Sequence, residues 1–382
     1  MKSKERVKRA FHFNKPDKIP VAYLSLKSDF FPMSPMEPKS WQPTNFPPHV
    51  LGGVETIANP AYRVIMYNWK KEYRIKAEYP KDWWNYPHKS IDEWGNIWDN
   101  LGAKSHDISK GHPHLGFLQQ NWDKLEEFQI PNASNQERYR LIRNRAWRFI
   151  GRKRYSIGSL GANGFFNLCS QIRGFNNLLI DFARNENKVK KLVEIISPFF
   201  ITQIENMKEN CPELDSIMVA DDMGTQKSPF ISPRIFKKIF KKPYSDIIKL
   251  THDLYMDFIL HSCGQIFELM QDISEAGVDV FQFDSPNMVG VENFKHFANK
   301  RKVAFWLSSN IQTTYVNGTP EDIENEIKYY IQEIGNNEGG LAISEYGSNR
   351  ALRTPKENII AQREAVAKWG NYDQDGVIEW LA

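Results

Sequence analysis

Short apolar runs, each followed by a turn and a helical stretch, recur along the chain after residue 150. They occupy residues 155–160, 216–221, 257–262, 278–283, 302–308 and 341–344. A further run over residues 18–26 brings the number to about seven, close to the eight strands of a (β/α)₈ barrel. Because the runs are apolar throughout, they indicate parallel strands that are buried on both faces. The pattern predicts an α/β fold, a (β/α)₈ TIM barrel.

A doubly wound open sheet with an aromatic-rich extra domain is the alternative architecture. The segment GSLGANG at residues 158–164 would favour it if its glycines had the spacing of a dinucleotide-binding fingerprint. They do not have that spacing. We therefore interpret these glycines as a tight turn that brings the backbone close to a helix or ligand.

Three helices are predicted to begin at a hydroxyl residue followed by proline. The pairs are Ser232-Pro233, Thr319-Pro320 and Thr354-Pro355. Serine and threonine are favoured as helix N-caps, and proline is favoured in the first turn. Glycines end the last two of these helices, as expected at helix C-termini.

The first 150 residues have a different character, because they are rich in Pro, Trp, Tyr and His and show little periodicity. They predict a first strand plus an irregular cap, with a hairpin around DEWGNIWDN (92–100). Aromatic residues in irregular chain are typical of packed segments. We interpret residues 1–382 as one domain, in which the aromatic-rich extension, chiefly residues 30–100, covers the barrel mouth and residues 151–382 form regular β/α units.

The balance of charge favours neither nucleic acid nor a membrane surface as a partner. There are 50 basic and 46 acidic residues, a net charge of +4. No run of about 18 apolar residues occurs, and the charged N-terminus is not followed by the apolar core of a secretory signal. Three cysteines are too few for a disulfide framework. We expect a cytoplasmic protein.

Polar residues follow most of the predicted strands, where the catalytic groups of a barrel stand. They are Asp221, Asp222, His261, Cys263, Asp284, Ser308, Asn310, Gln312 and Glu345. Such groups can ligate a metal, move a proton or bind a substrate. This series of polar strand ends is the strongest functional signal that the residues themselves give.

His261 and Cys263 are two positions apart, so on an extended strand both side chains face the same side. Imidazole nitrogen and thiolate sulfur together suit Zn²⁺. The alternative interpretation is a buried cysteine that only packs beside a histidine hydrogen-bonded to the backbone. Asp221 and Asp222 are adjacent, so we expect only one of them to face the mouth, as a proton carrier, substrate anchor or metal ligand.

Several segments resemble the uroporphyrinogen decarboxylase superfamily, and within it the corrinoid-dependent methyltransferases. They are ERVKRAFHFNKPDKIPV, DEWGNIWDN, IPNASNQERY, GANGFFNLCSQIRGFNNLLIDFARN, ADDMGTQKSPFISPRIFKKIFKKPY, HSCGQIFELMQDISEAGVDVFQFD and TPKENIIAQREAVAKWG. The resemblance covers nearly the whole chain and implies a (β/α)₈ barrel.

Two departures bear on the branch of this superfamily. The segment after the first strand, YLSLKSDFFPM, lacks the arginines with which decarboxylases hold porphyrin carboxylates, and Ser348 stands where they carry a histidine. Porphyrin decarboxylation is therefore disfavoured. The methyltransferases are implied to hold zinc by His-x-Cys and a later cysteine; His261 and Cys263 match the first two, but Ser348 takes the third position. Either Glu345 replaces that cysteine, which would give a harder metal centre suited to an oxygen donor, or Ser348 or no residue provides the third ligand and the site is altered or empty.

The resemblance thus implies a zinc-dependent methyltransferase that moves a methyl group between a small donor, such as an O-methyl ether, or a thiol, and cobalamin on a corrinoid carrier protein. The expected metal ligands are His261, Cys263 and Glu345. Asp222 and Asp284 are the expected catalytic groups, and Asp221, Asn310 and Gln312 are expected to bind substrate. The alternatives are a lyase or decarboxylase that uses acid/base chemistry at Asp222 without metal, and a non-catalytic barrel that binds a corrinoid or its carrier. An oligomer is compatible with the sequence.

Overall fold

The computed structural model describes residues 1–23, 27–36, 38, 89–99, 112–160, 164–335, 338–347, 349–373 and 375–381. The chain divides into two compact units. The barrel unit comprises Met1–Pro35, Tyr139–Gly164 and Ile204–Ala382, and the second unit comprises Met36–Arg138 and Phe165–Gln203. The interpretation of residues 1–382 as one domain stays a prediction.

The described residues contain eleven strands. They are β1 Val21–Ala22, β2 Phe30–Met33, β3 Lys89–Ile91, β4 Ile97–Asp99, β5 His112–Leu115, β6 Tyr155–Ser159, β7 Ser216–Ala220, β8 Asp257–His261, β9 Val280–Phe283, β10 Ala304–Leu307 and β11 Leu341–Ser344. Eight of them form one parallel sheet in the order β1-β11-β10-β9-β8-β7-β6-β2. Each predicted apolar run contains one of these strands, and β2 is an additional strand.

The two edge strands of this sheet are joined, because the Asp29 N–H donates to the Val21 carbonyl at 2.8 Å. Trp306 on β10 stacks on Phe30 of β2, with ring centroids 4.6 Å apart, although the two strands are not neighbours in the sheet. A ring contact between these strands crosses the interior of a curved sheet. The eight parallel strands form a nearly closed TIM barrel, so the predicted fold class is confirmed and the open sheet is wrong.

Helices alternate with the barrel strands. The α-helices of the described chain are α1 Ser3–Phe11, α2 Arg145–Gly151, α3 Phe165–Arg173, α4 Phe175–Arg184, α5 Glu186–Asn210, α6 Pro233–Ile235, α7 Lys241–Asp253, α8 Phe267–Ala276, α9 Pro286–Val289, α10 Phe294–Arg301, α11 Thr314–Asn317, α12 Pro320–Tyr330, α13 Asn349–Leu352 and α14 Lys356–Trp369. Two π-helical segments, Phe236–Phe240 and Ile331–Gly335, follow α6 and α12. Among these helices, none combines the length and apolar character needed to cross a bilayer.

Two of the three predicted N-caps are confirmed. Ser232 Oγ accepts from the Ile235 N–H, and Thr319 forms a reciprocal capping box with Asp322. The cap predicted at Thr354 is wrong. There Pro355 itself is the N-cap, no side chain caps the helix, and α14 begins at Lys356.

The helix α1 packs at the amino ends of the barrel strands. Arg6 bonds Asp29, just before β2, at 2.8 Å. Lys4 and Lys8 contact Asp215, just before β7, at 2.8 and 3.0 Å. His12 contacts Asp257, the first residue of β8, at 3.0 Å. These ion pairs close the amino end of the barrel, so the carboxyl ends of the strands are the side at which a site can form.

In the second unit, β3, β4 and β5 form an antiparallel sheet. The turn between β3 and β4 is held by Asp92, whose carboxylate accepts from the backbone of Trp94 and Asn96 at 3.0 and 2.9 Å. The hairpin predicted around residues 92–100 is confirmed. Most of the segment 30–100, predicted to cover the barrel mouth, lies outside the described residues.

Candidate metal centre

Three side chains with metal-ligating atoms converge at the carboxyl ends of β7 and β8. Asp222 follows β7, His261 is the last residue of β8, and Cys263 comes two residues later. One ligand atom from each lies within 4.8 Å of the others. We call Asp222, His261 and Cys263 the metal triad. Within the described chain it is the one cluster of three such groups at that spacing.

The two distances from His261 to the other members of the metal triad match those between neighbouring ligands of a tetrahedral zinc ion. His261 Nε2 lies 3.4 Å from Cys263 Sγ and 3.4 Å from Asp222 Oδ1. Bond lengths of about 2.0 Å for Zn–N and Zn–O and about 2.3 Å for Zn–S imply separations of roughly 3.5 Å and roughly 3.3 Å. The residues therefore fit a zinc ion.

The orientation of His261 is fixed from behind by β9. His261 Nδ1 bonds Gln282 Oε1, and the Gln282 amide donates to Asp284 Oδ1 at 2.9 Å. A carboxylate only accepts, so Asp284 fixes the amide with its carbonyl toward His261. That carbonyl requires a proton on Nδ1, which leaves Nε2 as the ligand atom of the neutral ring. A histidine that ligates a metal is typically held by such a bond at its second nitrogen.

The loops that carry Asp222 and Cys263 cross at very short range. The Cys263 N–H donates to Asp222 Oδ1 at 2.8 Å, and the Gln265 N–H donates to the Thr225 carbonyl at 2.7 Å. Two glycines permit this approach. A Cβ on Gly264 would lie 2.3 Å from the Gly224 carbonyl oxygen, and Gly264 has a φ of +80°. The glycine of HSCG therefore sets the position of the cysteine against the aspartate.

Gly264→Ala is expected to lower the free energy of unfolding by about 1–3 kcal/mol, because it adds a positive-φ strain and a clash with backbone. It is also expected to reduce zinc occupancy, since the crossing that holds Asp222 against Cys263 must open. Chemical denaturation and metal analysis of the purified variant measure the two effects. Gly347→Ala is the matched control, because a Cβ there meets no atom of the described residues within 4 Å. Equal stability and zinc content in both variants would contradict this role of Gly264.

The metal triad carries a proton when no metal is bound. Burial disfavours the imidazolium of His261, but its contacts with Asp222 and Cys263 outweigh burial and raise the pKa of His261 well above its usual range. Burial would raise the pKa of Asp222, yet His261 and the Cys263 N–H lower it to about 2. Although Cys263 is partly exposed, desolvation around its sulfur raises the pKa of the thiol. A thiol in this state needs a metal to become a thiolate.

Of the two adjacent aspartates, Asp222 joins the metal triad and Asp221 does not. Asp221 is fully buried, and its carboxylate accepts from the Tyr244 hydroxyl at 2.5 Å. Asp284 also lies outside the metal triad and reaches it through Gln282. The predicted roles of Asp221 in substrate binding and of Asp284 in catalysis stay predictions.

Glu345, the expected third metal ligand, is not brought to His261 and Cys263. Its carboxylate is buried, 1% exposed, and forms an ion pair with Arg363 of α14. The carboxylate that lies beside His261 and Cys263 is that of Asp222, and the role of Glu345 as a ligand stays a prediction. Ser348, which takes the position of the later cysteine, lies outside the described residues.

Asn310 and Gln312, expected to bind substrate, lie in the loop after β10. The Asn310 N–H donates to Glu326 at 3.1 Å, and Asn310 Oδ1 accepts from the Gln312 N–H at 3.0 Å. The Gln312 side chain is exposed. In the described chain, neither residue has a hydrogen bond to the metal triad.

Sequence reasoning missed two residues near the metal triad, Gln282 and Tyr346. Gln282 is one of two polar residues in the run VDVFQF and the one within the strand β9, which could have marked it as facing a polar interior. Tyr346 follows β11, and burial together with the charges of Asp284 and Asp222 raises its pKa, although the charge of His261 lowers it. Its phenol therefore lies within electrostatic range of the site.

The solved structures to which this chain is similar include a methyltransferase and an epimerase. The structure described as a methyltransferase from Methanosarcina mazei is 17% identical, with a TM-score of 0.59 over 96% of this chain and 99% of that chain. A D-psicose 3-epimerase structure is 10% identical, with a TM-score of 0.37 over 60% of this chain and 82% of that chain. At these identities the first likeness supports the fold, and the second supports no argument. No curated protein sequence matches significantly.

The sequence model of the family described as uroporphyrinogen decarboxylase (URO-D) matches residues 101–369, about 70% of the chain. This span includes the barrel strands from β6 to β11 and all three residues of the metal triad. The protein belongs to the uroporphyrinogen decarboxylase family.

Proposed function

We propose that the protein is a zinc-dependent methyltransferase that moves a methyl group between a small O-methylated compound and a corrinoid held by a partner protein. The metal triad supports the zinc requirement, and its mixed nitrogen, sulfur and oxygen ligands suit an oxygen donor. A methyltransferase among the structures of the same fold supports the reaction class. The free cysteines fit our inference that the protein works in the cytoplasm.

The convergence of Asp222 and Cys263 on one nitrogen of His261 carries this proposal. In a proton relay that activates a cysteine, the carboxylate holds the imidazole nitrogen opposite to the one facing the thiol. Here both groups lie 3.4 Å from Nε2, and Gln282 occupies the Nδ1 side. Three ligand atoms arranged around one point suit a metal ion. A proton relay would instead require the carboxylate and the thiol to lie at opposite nitrogens of the imidazole.

Zinc held by His261 Nε2, Cys263 Sγ and the Asp222 carboxylate would supply a Lewis acid that polarises the donor oxygen. Gln282 keeps His261 Nε2 directed at that position. Removal of the methyl group leaves an oxygen that needs a proton. We assign its delivery to the Tyr346 hydroxyl, which is protonated at neutral pH as any tyrosine is, and whose raised pKa disfavours ionisation further.

The metal-free lyase is less well supported. It requires Asp222 to exchange a proton with substrate, but a carboxyl group with a pKa of about 2 is ionised at neutral pH and a weak base. Asp222 Oδ1 also accepts the Cys263 N–H. The non-catalytic barrel is separated from our proposal by turnover: it would bind a corrinoid protein without transferring methyl groups.

Metal analysis of the purified protein tests the proposal. We expect close to one zinc per chain, and its loss in His261→Ala and Cys263→Ala. His296→Ala removes an exposed histidine elsewhere, and Cys211→Ala removes a buried thiol whose pKa is raised to about 11. Both controls are expected to keep their zinc. Wild-type protein that stays metal-free in zinc-supplemented medium, or zinc that survives both triad substitutions, would refute the metal centre.

A further inference from the structure

The inward face of β10 continues the row of side chains that holds His261. In the barrel register Gln282 pairs with His261 on one side and with Trp306 on the other. Phe281 and Phe305, one position away, stack toward Phe294 of α10 and so face the helices. Side chains alternate along a strand, so Gln282 and Trp306 face the barrel interior with His261.

Trp306 buries a hydrogen-bond donor in this interior. The residue is 9% exposed, and its Nε1–H has no partner among the described residues. Its ring is fixed by stacking on Phe30, with the planes 8° apart. A buried donor without an acceptor is unfavourable and uncommon in folded proteins. An indole N–H only donates, so its hydrogen-bond partner must be an acceptor.

Ser308 adds a second such donor on the same face. It lies two positions after Trp306, toward the carboxyl ends of the strands, and its N–H continues the ladder by donating to the Phe283 carbonyl at 3.2 Å. The residue is fully buried, and its Oγ has no partner in the described part of the chain. Trp306 and Ser308 therefore present two unpaired donors one strand beyond Gln282, and neighbouring strands are only about 4.8 Å apart.

The charge around these donors disfavours an anion as their acceptor. Asp284 follows β9 directly, as Ser308 follows β10, and the last residues of these two strands, Phe283 and Leu307, are paired. Asp222 belongs to the metal triad. Burial is the largest cause of the raised pKa of Tyr346; the charges of Asp284 and Asp222 raise it further, and the charge of His261 lowers it. A substrate carboxylate near Asp284 and Asp222 would be repelled by both, whereas an uncharged oxygen would not.

We propose that Trp306 Nε1 and Ser308 Oγ form a substrate subsite that binds an uncharged oxygen acceptor, an ether or hydroxyl oxygen on an aromatic or otherwise flat apolar body. This inference rests on the proposed function, because it names the substrate class for the same site. The stacked rings of Trp306 and Phe30 provide the apolar wall. The subsite selects neutral oxygen compounds over carboxylic acids of the same size.

Three probes of similar size test the subsite on the full-length protein: anisole, ethylbenzene and benzoate. In ¹⁵N–¹H spectra the Trp306 indole resonance is identified by its loss in Trp306→Phe. We expect anisole to shift this resonance downfield, because the N–H gains an acceptor. Ethylbenzene has no acceptor oxygen, so we expect it to cause no such downfield shift of the Trp306 resonance. Benzoate is expected not to bind. An unchanged Trp306 resonance up to the solubility of anisole, or an equal downfield shift with ethylbenzene, would overturn the subsite.

Two variants measure the contribution of each donor to affinity. Trp306→Phe keeps the stacked ring, and Ser308→Ala keeps the backbone ladder; each is expected to weaken anisole binding about 3- to 10-fold. Trp369→Phe is the control, because the Trp369 indole already donates to Glu324 at 2.6 Å. Its affinity for anisole is expected to be unchanged. Equal anisole affinity in wild type, Trp306→Phe and Ser308→Ala would also overturn the subsite.

These results are independent of metal content. If the protein binds zinc but the Trp306 indole resonance does not shift with anisole, the subsite is refuted and the proposed function stands. If the protein contains no zinc but the Trp306 indole resonance shifts with anisole and not with the other two probes, the subsite stands and the zinc-dependent function is refuted.

Discussion

Asp222→Asn is expected to weaken zinc binding at neutral pH by at least about 100-fold while the barrel stays folded. The substitution keeps the shape of the side chain and an oxygen that can accept the Cys263 N–H. It removes the negative charge that makes the oxygen a strong zinc ligand. Loss of partners behind a ligand already costs about 10- to 100-fold in metal affinity, and loss of a ligand costs more.

Competition with a chromophoric chelator measures this affinity. The matched control is Asp284→Asn, which makes the same change in a carboxylate that reaches His261 only through Gln282. Its amide oxygen still accepts from Gln282, so the affinity is expected to stay within about tenfold of wild type. If instead Asp222→Asn binds zinc as tightly as wild type but loses activity, then Asp222 is a proton carrier and the metal-free lyase gains support.

The barrel itself was predictable because its strands are buried on both faces. Runs such as VDVFQF and KVAFWLS are apolar at most positions, and the structure has β9 and β10 within them. The strand β2, FFPM, was not predicted. It contains Pro32 and lies in an aromatic-rich segment without periodicity, so no local pattern distinguishes it from a loop. Its place is set by pairing with β6, a contact between residues far apart in the chain.

His261 and Cys263 were predictable as a pair because two-residue spacing on a strand is a local rule. Their third partner was not. Glu345 was chosen because the resemblance places a ligand near the end of β11, but ion pairing with Arg363 of α14 holds its carboxylate. Asp222 reaches the site because Gly224 and Gly264 let two loops cross, and no spacing within one strand reports such a crossing.

The remaining differences between the predicted and the observed site residues arise from the faces on which side chains lie. Gln282 and Trp306 face the interior because they alternate with phenylalanines that pack on α10. In runs this apolar, alternation is hidden in the sequence, because both faces carry large hydrophobic residues. Polar residues beyond the strand ends were easier to notice, yet Asn310 is held by its own loop through Glu326. Only the register shows which positions share the row with His261.

Zinc affinity is expected to rise about 100-fold for each unit of pH between pH 6 and 7. Without metal, His261 holds a proton because its pKa is raised well above the usual range, and Cys263 holds one because burial raises its pKa. Asp222, with a pKa of about 2, is already ionised. Zinc requires a neutral imidazole and a thiolate, so two protons leave for each ion bound. Each released proton makes the affinity tenfold greater per unit of pH, and two make it 100-fold greater.

Calorimetric titration with zinc in buffers of different ionisation enthalpy counts the protons released. Wild type is expected to release close to two at pH 7. Cys263→Ala retains only the imidazolium, so whatever zinc it still binds is expected to release close to one, with a tenfold dependence per unit of pH. Release of one proton by wild type would mean that either His261 or Cys263 is not a ligand. Comparison with Cys263→Ala identifies which, because an unchanged count in the variant excludes the sulfur and a count of zero excludes the imidazole.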